Sequence, residues 1–204
     1  MLSEANLKEV LPQLPLEVQS GWAYRAVEAR FMDNVNSVVG SLRRNGRFHR
    51  AQTGIGTLYL GLNRESLLFE VQSITQTVFL PHLLPPAPLD TVPFLLQLTR
   101  VLDLTNPGIL RSLDTGIQEL TGSWRYENDL YGLEAASQRL ARVAAQQGIQ
   151  ALRYLSARTD QLVNLAIFVT NVSEPLQAML SLHHPKQKVD CAQATPELGF
   201  TQPN

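Results

Sequence analysis

The apolar residues of this chain switch between a spacing of two and a spacing of three to four in an order that no regular strand–helix–strand repeat supplies. Residues 21–28, GWAYRAVE, predict a strand with Trp22, Tyr24 and Ala26 on one side. Residues 57–62, TLYLGL, alternate again, with Leu58, Leu60 and Leu62 on one face and Tyr59 on the other. Over residues 64–79 the spacing becomes helical, through Leu67, Leu68, Val71, Ile74 and Val78, with Asn63 at the N-cap position. Residues 98–104 read as a buried strand, and Asn106-Pro107 then opens a helix carrying Leu110, Leu113, Ile117 and Leu120. A helix at about 133–147 ends at Gly148, and two strands close the chain at 149–155 and 163–170. Strand, strand, helix, strand, helix, helix, strand, strand is an α+β order, with sheets flanked by helices. The expectation is a single domain over residues 18–180. An N-terminal extension, residues 1–17, includes a short helix capped by Ser3, and a polar tail covers residues 181–204. Residues 33–56 read as loop and the proline-rich residues 81–93 as a connection.

Charge narrows the partners. Against 18 Asp and Glu stand 17 Lys and Arg in 204 residues, a net charge of −1, which excludes a binder driven by bulk positive charge. No direct nucleic-acid contact is expected. With 44% hydrophobic residues the chain is not an acidic disordered tail either. No apolar run reaches 18 residues and the N-terminus lacks the pattern of a secretory signal, so neither a membrane span nor export is expected. Cys191 is the only cysteine, which makes a cytoplasmic location the natural expectation. His183, His184 and Cys191 match no strong ligand spacing, so no metal site is expected. Gly54-Ile55-Gly56 fails as a dinucleotide fingerprint, because Tyr59 stands where the third glycine belongs and a strand follows instead of a helix.

Three features break the local patterns. Glu70 shares the apolar stripe of Leu67 and Ile74, and a carboxylate there needs a partner or costs several kcal/mol. Either it forms a salt bridge at the rim of the core or it is aimed into a cleft. Between Asn34 and Arg64 stand Arg43, Arg44, Arg47, Arg50 and Arg64 with no Asp or Glu, as in a solvated loop or an anion site. Tyr154-Leu155-Ser156-Ala157-Arg158 ends a predicted strand. A surface turn accounts for it, and Ser156 lacks the setting of a hydrolase nucleophile.

Together these pieces resemble the RES-domain family, named for an Arg, a Glu and a Ser. Trp22-Ala23-Tyr24-Arg25-Ala26 is similar to its opening Tyr-Arg strand, and Asn45-Gly46-Arg47-Phe48-His49 to its Gly-Gly-Arg-Trp-Asn loop. Leu58-Tyr59-Leu60 followed by Leu67-Leu68-Phe69-Glu70 resembles its Tyr-bearing strand and Glu-bearing helix. Val101-Leu102-Asp103-Leu104 is similar to its central strand. Gln138-Arg139-Leu140-Ala141, Tyr154 to Arg158 and Asn164 to Phe168 are similar to its closing pieces. Asn45, Phe48, His49 and Leu155 depart from the family pattern, while Arg25, Arg47, Tyr59, Glu70 and Ser156 keep it.

The resemblance implies a fold like that of ADP-ribosyltransferases and a toxin that consumes NAD by cutting the nicotinamide–ribose bond, as a glycohydrolase or a phosphorylase. It implies an Xre-type antitoxin partner, no membrane partner, and NAD as substrate with no true cofactor; a homo-oligomer is compatible with it. An ADP-ribosyltransferase acting on protein, or a catalytically degenerate module that binds a nucleotide or a protein, are the alternatives. By the same resemblance Arg25, Tyr59, Glu70 and Ser156 are the catalytic set. Arg25, Gly46, Arg47, Tyr59 and Asn164 bind NAD, with Arg158 a further candidate. Arg25 and Arg47 would hold the pyrophosphate or its ribose, Tyr59 would pack on nicotinamide, and Glu70 would stabilise an oxocarbenium-like ribose. Ser156 would hydrogen-bond that ribose or orient Glu70.

Overall fold

A computed structural model describes residues 1–51, 53–64, 67, 89–157, 162–172, 176–178 and 192–194. Strand β1 (Glu17–Glu28) pairs antiparallel along its length with β3 (Leu89–Asp103). Tyr24 of β1 also pairs with Gly61 at the end of β2 (Thr57–Gly61). From β2 the ladder runs antiparallel to β5 (Val163–Phe168), antiparallel to β4 (Ala151–Leu155) and parallel back to β3. The five strands therefore close a circuit. Two three-residue strands, β6 (Leu176–Ala178) and β7 (Ala192–Ala194), extend from β3 at Phe94 and Leu95. The arrangement is α+β.

Strand alternation divides the apolar residues between two cores. Ala23, Leu58, Leu60, Phe94, Val101, Ala151, Leu165 and Ile167 pack into one cluster that draws on all five circuit strands, as only the interior of a closed sheet allows. Their alternate neighbours face outward: Leu102, Leu152, Tyr154, Ala166 and Phe168 pack against the helices in the other. Those helices are α1 (Glu4–Val10), α3 (Pro107–Ser112), α4 (Ile117–Thr121) and α6 (Ala136–Gln146). Ser3 caps α1 and Asn106 caps α3, each accepting a main-chain N–H within the first turn. Between Leu98 and Val101, β3 carries one residue more than β1, which flips the inward face from even to odd positions. The buried Gln150 satisfies that bulge, its Oε1 accepting from Thr99 N at 2.8 Å and Arg100 N at 3.1 Å.

Several expectations change. β3 starts at Leu89, so residues 89–93 of the expected connection are strand, with Pro93 opposite Tyr24. In β1 the buried side is Ala23 and Val27, while Trp22 stands 46% exposed, because the inward face of a closed circuit has room for small residues. The single helix expected after Asn106-Pro107 is two, since Asp114 adopts a left-handed φ of 48° between them. A short helix, α2 (Val39–Arg43), lies within the expected loop 33–56, and α5 (Trp124–Tyr131) was not legible at all. Ala192–Ala194 of the expected tail form β7. The helix expected at 64–79 falls outside the described residues except for Arg64 and Leu67, where Leu67 N–H donates to Asn63 O at 3.2 Å.

Gly56 lets α2 approach β2. A Cβ there would lie 2.7 Å from Val38 Cγ2 and 3.1 Å from Val169 Cγ2. Gly56→Ala is expected to lower stability by about 1–3 kcal/mol, the usual effect of overpacking. Urea unfolding checks this, and adding Val38→Ala should make the Gly56→Ala change less harmful than it is alone.

Candidate active site

Residues 46–49 form a tight turn in which Gly46 N–H donates to His49 O at 3.0 Å. A Cβ on Gly46 would lie 2.1 Å from His49 Cε1, so any other residue there would displace the His49 ring. Helix α6 anchors it. Gln138, 1% exposed, donates through Nε2 to Gly46 O at 2.8 Å and His49 O at 3.3 Å. Ser137 Oγ donates to Arg47 O at 2.8 Å. The Oε1 of Gln138 accepts from Ala135 N at 3.1 Å and Asn128 Nδ2 at 3.0 Å, so one buried amide ties the turn to α5 and to the start of α6. Phe48 is buried against the Tyr154 ring, with centroids 4.5 Å apart.

A cleft of about 530 Å³ opens beside this turn, on the outward face of β2. It brings together Arg25 from β1, Arg47 from the turn and Tyr59 from β2, with Tyr154, Ala157 and Leu67 alongside. Ser156 is buried next to Ala157, and its N–H donates to Leu162 O at 2.7 Å across the β4–β5 turn. Asn164, also buried, pairs with Gly61 and Tyr154 in the sheet behind the cleft. Gly46 is not in the cleft lining. Glu70 and Arg158 lie outside the described residues, as do His183, His184 and Cys191.

The two expected phosphate ligands also hold main chain. Arg25 donates through Nη1 to Val35 O and through Nη2 to Ser37 O, the latter at 3.1 Å. Burial lowers its pKa to about 10, which leaves it a cation at neutral pH. Arg47 Nη1 donates to Leu120 O at 2.6 Å and Gly122 O at 2.9 Å, pinning the junction of α4 and α5 to the turn.

Tyr59 is held by a chain of hydrogen bonds whose direction can be deduced. His49 Nε2 lies 2.9 Å from Arg44 O, which can only accept, so Nε2 carries a proton. Burial holds the His49 pKa below its ordinary value, partly opposed by the Arg44 carbonyl, and favours the neutral ring. Its Nδ1 is then an acceptor, and Tyr59 O–H donates to it across 2.9 Å. The same hydroxyl accepts from Phe48 N at 3.0 Å. Burial also pushes the Tyr59 phenol above its usual range, with the Phe48 N–H and the Arg47 cation pulling the other way, so it stays protonated.

Arg44, Trp124 and Arg125 also line the cleft, and of these only Arg44 was marked in the sequence. Arg44 belongs to the basic segment 43–64. Nothing marked Trp124-Arg125, because α5 has no apolar stripe: its Tyr126, Leu130 and Tyr131 are exposed and only Asn128 is buried. Four arginines line the cleft, and no Asp or Glu does so among the described residues. The site suits an anion. Among the described residues no three His, Cys, Asp or Glu side chains come close enough to hold a metal, and no helix is long and apolar enough to cross a membrane.

Because the folded-state pKa of His49 lies below the unfolded value, the unfolded chain binds the extra proton first. Its contribution to stability is therefore complete above pH of about 6.5 and is lost as pH falls below that value. Unfolding free energies measured between pH 7.5 and 5 should fall less steeply for His49→Asn than for the wild type, although the variant is the less stable at pH 7.5.

The family model of the RES domain matches residues 22–189. No curated protein matches the sequence well enough to count as a relative. Among solved structures, a chain of the Mycobacterium tuberculosis MbcT–MbcA toxin–antitoxin complex superposes with a TM-score of 0.61 at 19% identity. The alignment covers 96% of this chain and 98% of that one, so the two share a fold.

Proposed function

The chain belongs to the RES-domain family, and from that footing we propose that it is a toxin-type enzyme of the cytoplasm that consumes NAD, restrained by a cognate antitoxin protein. One observation carries the reading: a cleft of about 530 Å³ gathers Arg25, Arg47 and a hydrogen-bonded Tyr59 from three separate elements. No carboxylate opposes them among the described lining. A doubly anionic dinucleotide matches that field, and a tyrosine ring suits the flat nicotinamide. The similar fold found in a toxin–antitoxin complex supports the antitoxin part of the proposal.

The chemistry asks little of acids and bases. The bond from ribose C1′ to the nicotinamide nitrogen breaks with both electrons going to nitrogen, so the pyridinium leaves as neutral nicotinamide and needs no proton. Positive charge remains on the ribose. A water oxygen or a phosphate oxygen then bonds to C1′, and water gives up a proton to become the anomeric hydroxyl. The protein must hold the pyrophosphate and stabilise the cationic ribose, the second being the role assigned to Glu70. In the sequence Glu70 follows Leu67 by three positions, and Leu67 lines the cleft. Ser156 would orient that carboxylate or the ribose.

Purified protein free of any partner is expected to release nicotinamide from NAD, measured by chromatography with and without phosphate. ADP-ribose as product means water is the acceptor, and its 1″-phosphate means phosphate is. Glu70→Ala should lower the rate by about 10²–10³, the scale for loss of an electrostatic stabiliser. An intact NAD pool under both conditions would refute the enzymatic reading.

A further inference from the structure

Two kinds of arginine line the cleft. Arg25 and Arg47 spend guanidinium N–H groups on the carbonyls of Val35, Ser37, Leu120 and Gly122. Arg44 and Arg125 are exposed, and neither guanidinium forms a hydrogen bond or an ion pair among the described residues. They come from separate elements, Arg44 from the C-cap of α2 and Arg125 from the first turn of α5. Trp124 is half-buried in the same lining, with the Arg125 guanidinium 4.7 Å from its ring centroid. The indole thus brings a flat aromatic surface to the cleft lining beside a cation. The cleft is also short of a polar contact. Thr57 is 3% exposed and lines it, yet its hydroxyl has no hydrogen-bond partner among the described residues.

We infer that Arg44, Trp124 and Arg125 form the subsite for the adenosine diphosphate half of the dinucleotide, the arginines taking the phosphates and the indole stacking on the base. The inference rests on the NAD reading above for its ligand, and on the spare guanidiniums and the indole for its place. A guanidinium with no hydrogen-bond partner among the described residues keeps its fork of donors for phosphate oxygens. A purine stacked on tryptophan needs no base-specific hydrogen bond. Arg47 acts here as a positioning residue: its bonds to Leu120 and Gly122 hold the start of α5, and with it Trp124 and Arg125, against the turn at Gly46–His49. Arg44 is placed in the same way, since its carbonyl accepts from His49.

The test uses ADP and adenosine as calorimetric probes, alongside NAD turnover by the same full-length protein. ADP should bind the wild type, and Arg44→Ala and Arg125→Ala should each weaken it tenfold or more while changing adenosine binding less than threefold. Trp124→Ala should weaken ADP and adenosine alike, and Trp124→Phe should restore most of the loss. The KM for NAD should rise in step with the ADP dissociation constants. Arg44 and Arg125 are exposed, so an unchanged melting temperature is expected for their variants. If the wild type consumes NAD but ADP affinity and KM ignore all three substitutions, the subsite is elsewhere and the inference is overturned while the NAD reading stands. If NAD is left intact but ADP binds through these three side chains, the subsite stands and the catalytic reading falls. Failure of ADP to bind the wild type at millimolar concentration overturns the inference.

Discussion

Three of the five circuit strands, β2, β4 and β5, are buried on both faces, and this shared sheet is the constraint from which the site follows. Leu58 and Leu60 turn into the closed interior, so Tyr59 must turn outward, where the helices and the turn at residues 46–49 surround it. The same alternation sends Ala151 inward and Leu152 and Tyr154 outward to the helix-facing core, where Tyr154 also lines the cleft. A slip of one residue in the pairing of β2 with β5 would exchange the two faces. It would put a phenol in an apolar core and remove the ring from the cleft.

The second requirement is to hold an irregular turn against that sheet. Its carbonyls point toward protein, where an unpaired acceptor costs about 1–3 kcal/mol. Gln138 and Ser137 satisfy three of them from the first turn of α6. With the turn held, one side chain after another is set in place. His49 presents Nδ1 to Tyr59 because its Nε2 is bound to the Arg44 carbonyl. Arg47 reaches the end of α4 and so fixes where α5 begins. The histidine is a departure from the asparagine of the family loop. Asparagine would also offer an oxygen and an amide at this place, so the exchange keeps an acceptor for Tyr59 and adds a titratable ring whose pKa burial holds below its ordinary value.

A second network ties the far end of the circuit together. Asp103 accepts from Thr105 N at 2.9 Å and Thr105 Oγ1 at 2.6 Å, and Arg153 bridges it to Glu17 at 2.7 Å. Burial pushes the Asp103 carboxyl up, but the Arg153 and Thr105 bonds outweigh it and hold the group below its ordinary value. Strands β1, β3 and β4 are thus joined by charge at the point where Asp103 pairs with Arg153 in the parallel ladder. The Leu-Asp-Leu pattern seen in the sequence therefore has a structural meaning: two leucines for the outer core and one carboxylate to lock the strand end.

Legibility followed periodicity. Strands β2, β4 and β5 and helix α6 were readable because each buries a regular set of side chains, and local spacing records burial directly. β3 was half read, because Pro93 and the bulge at residues 99–100 interrupt its alternation, and the pairing with β1 and Gln150 that sustains it is long-range. By itself the sequence determined the class of fold, the separation of Tyr59 from its leucine neighbours and the basic segment around Arg44 and Arg47. Only the tertiary structure decided which arginines are engaged by main-chain carbonyls and which are not, and that Trp124-Arg125 joins them. Those facts depend on contacts between residues some 75 positions apart, such as Arg47 with Gly122, and no local spacing encodes them.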